Sequence, residues 1–191
     1  VLPIPQFENT SAAKGCAMSV YRYHPVTVAL HWIVAVLVLL MLGVGTFVLE
    51  PMDNADPDKL SMLATHRLIG LVILVLTVLR IVLRRFLPAP EHAKTGSAFL
   101  DRLGQAMPKL LNIFVILMAV SGMVLGRMSG LSDALAGTAP LPESFFEFSP
   151  RVIHGILAKL IMAMLALHIL GALYHQIMLR DGLFRRMWFG R

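Results

Sequence analysis

Thiol chemistry is almost missing from this sequence: its 191 residues include one cysteine, Cys16. A lone cysteine excludes an internal disulfide and a thiolate metal cluster, and Cys16 reads as an incidental residue of the N-terminal segment. Charge is sparse as well. Asp, Glu, Lys and Arg make up 15% of the chain against 57% hydrophobic residues, and the mean hydropathy is +0.74, far from the composition of a soluble domain. There is no internal repeat and no low-complexity tract. The short alternating segments that a membrane β-barrel requires are also lacking, which excludes that architecture.

Continuous apolar sequence is what the chain has in quantity. Four runs, about 26–49, 66–87, 108–126 and 152–178, each approach the roughly 20 residues that carry a helix across a bilayer. Hydrocarbon offers no partner to peptide groups, so each run must be helical. The expected fold is all-α, a transmembrane four-helix bundle. Residues 1–17, "VLPIPQFENTSAAKGCA", show no helical period and too short an apolar run for a signal peptide; they read as a flexible leader. Met18 reads as a natural start, and 18–191 as the transmembrane domain.

The net charge of +6 and pI of about 10.0 would suit nucleic acid if the cations formed a face, but they flank the apolar runs instead. Arg22 precedes the first; Arg84, Arg85, Lys94, Arg102 and Lys109 lie around the link between the second and third; Arg180, Arg185, Arg186 and Arg191 follow the fourth. The other two loops are balanced or acidic, with Glu50, Asp53, Asp56 and Asp58 against Lys59, and Asp133, Glu143 and Glu147 against Arg127 and Arg151. The positive-inside rule then puts both termini in the cytoplasm.

Histidine placement carries the chemistry. In "HGILAKLIMAMLALH", His154 and His168 are 14 residues apart, which puts them on nearly one helix face about 21 Å apart along the axis. They share a face without sharing a site. Depth pairs them with the other intramembrane histidines: His154 enters at the outer level with His66, and His168 lies at the inner level with His31. Ionisable groups in a bilayer are costly and usually functional. Two imidazoles per level suit bis-imidazole haem iron better than zinc, which wants a tighter tetrahedral set. The third run has no histidine and is left to pack.

Other residues fall on the same stripes. Gly45 is 14 residues after His31, at the outer level, where a missing side chain would admit a porphyrin; Gly70 and Gly171 follow His66 and His168 by about one turn. Close helix packing through small residues explains the same glycines. Arg80, 14 residues after His66, points to the inner level, where a haem propionate or a quinone carbonyl would answer its charge; a guanidinium reaching the headgroups is the alternative. Lys159 is about 140° round from His154 and off that face. His175 is a candidate for a cytoplasmic-side quinone site, or a helix-end residue among headgroups. Thr65 is a candidate cap for the second helix, and "LPAPEHAKTGSAFLDRLGQAMP" is expected to hold a short amphipathic segment.

At "ALHW", "HRLIGLVILVLTVLRIVLR" and "HGILAKLIMAMLALHILGALYH" followed by "RDGLFRRMW", the chain resembles the bacterial cytochrome b561 family of small di-haem membrane proteins, the group that includes the superoxide:ubiquinone oxidoreductase. The resemblance covers about residues 21–189. It implies two non-covalently held b haems, stacked in the bundle, with His31/His168 and His66/His154 as axial pairs. It further implies a multi-pass protein of the bacterial inner membrane and exchange of electrons with quinone. One departure is that the third helix begins "LGQAMPKLLN", without the histidine common in relatives, so that region supplies no expected quinone contact.

Function follows as an expectation. The chain is read as an oxidoreductase that oxidises superoxide at the outer face and reduces ubiquinone, with Arg67, Arg151 and Lys159 steering the anion. The rival is a non-enzymatic electron-transfer subunit serving a soluble periplasmic redox partner; a haem-free membrane scaffold is the third. No nucleic-acid partner is expected.

Overall fold

The computed structural model describes residues 22–189; the expected leader over 1–17 with Cys16, the expected start at Met18, and Arg191 lie outside the described residues. Helices α1 (Pro25–Val44), α2 (Lys59–Phe86), α3 (Ala98–Met128) and α5 (Ser149–Tyr174) form the bundle, and the short helices α4 (Leu131–Leu135) and α6 (Leu183–Arg186) belong to its ends. No strand occurs among the described residues. All four long helices are long and apolar enough to cross a membrane. Their outward faces are apolar too: Leu68, Val75 and Leu170 are 62%, 57% and 61% exposed. Such surfaces require lipid around them, not water.

The helix ends explain themselves locally. Pro25 opens α1, where its missing N–H costs nothing, and His24 Nδ1 accepts from the Val26 N–H at 3.3 Å. The far end of α1 widens into a π-helical turn, Gly45–Leu49, and α5 ends in a similar turn, His175–Leu179. Arg84 and Arg85 close α2, where cations complement the helix dipole.

Two helices exceed the apolar runs that signal them. α2 begins at Lys59, about two turns before 66, and Thr65 is internal to it, its hydroxyl donating to the Ser61 carbonyl at 3.0 Å. Thr65 is therefore not a cap. The expected separate amphipathic segment is instead the first part of α3, continuous through Pro108. Hydropathy marks the part of a helix that lies in hydrocarbon, and says little about turns that continue into the headgroup region.

Within the bundle α1 packs on α2, α2 on α3, and α3 on α5. The backbone of α5 makes no comparably close approach along α1 or α2. Side chains fill the gap at mid-depth: Val34 and Val38 of α1, Ile73 of α2 and Ile161 of α5 form one buried cluster. At one end of the bundle the basic termini and the α2–α3 link meet. There the Trp32 indole donates to the Met187 carbonyl at 2.8 Å, Arg186 donates to the Glu91 carbonyl at 2.7 Å, and Arg84 lies 5.7 Å over the Tyr23 ring. At the opposite end the Asn54 amide donates to the Pro142 carbonyl at 2.9 Å and ties the two loops together.

Candidate functional site

The fold turns the 14-residue spacings into two stations. At the basic end the His31 and His168 rings have centres 6.4 Å apart with planes at 72°. At the opposite end the His66 and His154 rings are 6.3 Å apart at 67°. Each pair joins α5 to a helix from which its backbone stands off.

A heptad rule places everything between them. Val38 lies midway between His31 and Gly45, Ile73 midway between His66 and Arg80, and Ile161 midway between His154 and His168. Seven residues are close to two helical turns, so each helix presents one stripe: a polar or small residue, a buried aliphatic, then another polar or small residue. The aliphatics meet in the core cluster, with Ile161 1% exposed. This dry layer separates the stations.

Each ring pair is spaced for one metal atom. Two metal–imidazole bonds of about 2 Å, with the half-width of each ring added, span about 6 Å. Three buried polar atoms on the helices that carry the stations, His31 Nδ1, His66 Nδ1 and Thr77 Oγ1, have no hydrogen-bond partner among the described residues. Buried polar groups are rarely left so unless a ligand or water completes them. Thr77 is 1% exposed and lies one turn from Arg80. Arg80 is half-buried and close enough to act electrostatically on both His31 and His168. Among the described residues no carboxylate pairs with it, so an anionic group at this station would fit.

A Cβ on Gly45 would meet His66 Cε1 at 3.6 Å, whereas one on Gly70 or Gly171 would meet no atom of the described residues within 4 Å. Gly45 thus lies at the level of the His66/His154 pair.

The third helix takes part, which its lack of histidine gave no reason to expect. Ser121 Oγ is 3.0 Å from His154 Nδ1 and donates to the Met118 carbonyl at 2.8 Å. A Cβ on the neighbouring Gly122 would come to 3.2 Å from His154 Cε1. In the sequence these two are an ordinary small-residue pair in an apolar helix, indistinguishable from packing residues.

Each of the three candidate steering cations has its own surroundings. Arg67 donates to the Ser132 hydroxyl at 3.2 Å. Arg151 pairs with Glu50 at 3.5 Å and lies 4.6 Å over the Phe146 ring. Lys159 is exposed on the outward face of α5. The first-loop cation Lys59 is buried, only 3% exposed, a role its loop position does not reveal: its ammonium donates to the Leu49 and Met52 carbonyls at 2.6 and 2.7 Å.

His175 belongs to neither ring pair. Its Nδ1 is 2.6 Å from Asp181 Oδ2, and Asp181 lines a cleft of about 530 Å³ with Gln176, Arg180 and Arg185. A neighbouring cleft, also about 530 Å³, is lined by Arg22, Leu173, Gln176, Phe184, Arg185 and Trp188. Aromatic contacts connect it to the basic-end station: Trp188 is 5.9 Å from Trp32, and Trp32 is 5.3 Å from His31.

The family model described as prokaryotic cytochrome b561 matches residues 22–190. A curated relative, cytochrome b562 of Cereibacter sphaeroides, is 29% identical over 169 residues, covering 86% of this chain and 94% of that protein.

Proposed function

The chain belongs to the prokaryotic cytochrome b561 family, and from that footing we propose that it holds two b haems and passes electrons between the outer membrane face and quinone. Membership makes it a membrane-embedded haem-b electron-transfer protein. The number of haems, their ligands and the substrates are our own reading. The observation that carries it is the pair of histidine stations, 6.3 and 6.4 Å from ring centre to ring centre, on either side of a dry aliphatic layer.

In this reading His66 and His154 hold the outer haem and His31 and His168 the inner one. The haems supply one-electron chemistry; the chain supplies ligation, burial and nearby charge. Arg80 and the Thr77 hydroxyl answer polar groups at the inner station. Gly45, Gly70 and Gly171 leave room beside the ligands. The basic end faces the cytoplasm of a bacterial inner membrane, as the cation bias supports. Quinone is received at that end, and the cleft beside Trp188 favours this placement through its aromatic connection to His31. His175, whose Nδ1 is 2.6 Å from Asp181, a residue of the adjoining cleft, is the group we assign to proton delivery to the reduced quinone.

The specific activity we propose is superoxide oxidation coupled to ubiquinone reduction. Two superoxide ions each give up one electron and leave as O₂; a quinone takes both electrons and two protons. The test uses the purified haem-loaded protein, a superoxide source and a soluble ubiquinone analogue, with haem absorbance and quinol followed together. Superoxide-driven haem reduction followed by quinol formation is expected. Haem that dithionite reduces but superoxide does not would contradict the activity and favour a periplasmic redox partner as the donor.

A further inference from the structure

Ser121 makes two short contacts through one oxygen. It is 2.8 Å from the Met118 carbonyl and 3.0 Å from His154 Nδ1. A carbonyl can only accept, so the single hydroxyl proton goes to Met118. The Ser121 oxygen is left to accept, and the hydrogen between it and His154 must therefore be on Nδ1. That fixes the neutral tautomer: Nδ1 protonated, Nε2 carrying the lone pair.

The same stretch of α3 sets the ring's position. Ser121 is buried at 9% exposure, and Gly122 brings the backbone so near that an added Cβ would press on His154 Cε1 at 3.2 Å. The opposing ring has no such support. Among the described residues His66 Nδ1 is buried without a hydrogen-bond partner, as is His31 Nδ1 at the other station.

We propose that Ser121 is a positioning residue for the outer pair: it selects the His154 tautomer that offers Nε2 to a metal and holds the plane of that ring. This rests on His154 being an iron ligand. A ligating imidazole whose second nitrogen donates a hydrogen bond is oriented and made more basic by it. Here the acceptor is itself polarised, because its own proton is committed to the Met118 carbonyl. A more basic ligand favours the ferric state, so the bond holds the outer haem's potential down while leaving the inner haem alone. The protein thereby differentiates two stations with the same ligand types.

The test compares full-length wild type with Ser121→Ala, Ser121→Cys, Ser121→Thr and His154→Ala, measuring haem per chain, the two midpoint potentials and the low-spin ferric EPR signal, which reports the angle between axial imidazole planes. Ser121→Ala should keep both haems, raise one midpoint and alter the EPR component of the same haem. Ser121→Cys keeps the volume with a weaker acceptor and should give a smaller shift of the same sign; Ser121→Thr should restore wild-type values. Both midpoints and the EPR signal unchanged in the Ala and Cys variants would overturn the proposal while leaving the ligand assignment intact. Two haems retained in His154→Ala would instead overturn the ligand assignment itself.

Discussion

The Lys59 ammonium donates to the Leu49 carbonyl at 2.6 Å, across the turn that joins the first two membrane helices. It satisfies the Leu49 carbonyl at the end of the α1 π-turn, as a cation at a helix C-terminus does, and takes the Met52 carbonyl of the following turn as its second acceptor at 2.7 Å. Lys59→Met removes the donor without shortening the stem. Each buried acceptor left unmet costs about 1–3 kcal/mol, so thermal unfolding in detergent should move clearly downward. An unchanged midpoint would mean that water replaces the ammonium at no cost.

Ile161 tests the layer between the stations. It is 1% exposed and one heptad from each α5 histidine. Ile161→Ala should destabilise the bundle by about 2–5 kcal/mol through lost burial and a residual cavity, yet leave haem per chain at the wild-type value, since no proposed ligand is touched. Loss of haem in parallel with stability would show that the layer also positions the histidines.

Arg80 tests the charge at the inner station. Its guanidinium bears on His31 and His168 and has no carboxylate partner among the described residues. A nearby cation disfavours the more positive ferric state, so Arg80→Gln should lower the inner haem's midpoint in a redox titration and leave the outer one in place. A shift in the outer haem alone would contradict the placement of Arg80.

Anion steering is tested by neutralising Arg67, Arg151 and Lys159 together. Haem reduction by superoxide should slow, and its salt dependence should flatten, because steering by fixed charge is screened by ions. Arg151 is already paired with Glu50 at 3.5 Å, so it should contribute least when changed singly. An unchanged rate and salt slope would remove steering from the account.

Much of this arrangement was legible in the chain itself, because the 3.6-residue period and bilayer depth constrain it in the same way. Four apolar runs implied four helices, and the 14-residue spacing from His154 to His168 implied two levels on one face. What escaped was of three kinds. Helix extents beyond the hydrocarbon, as in α2 from Lys59 and α3 from Ala98, leave no hydropathy signal. Lys59 reads as a solvated loop cation, since its carbonyl acceptors are backbone atoms that any sequence provides. Ser121 and Gly122 match ordinary packing residues, and only the arrival of His154 from a distant helix gives them a role.

Whether two histidine pairs hold two haems is read from a reduced-minus-oxidised spectrum with haem quantification on wild type beside His154→Ala. Two b haems per chain should fall to one, with the remaining spectrum belonging to the His31/His168 station. Unchanged haem content in the variant, or a wild type without haem, would contradict it.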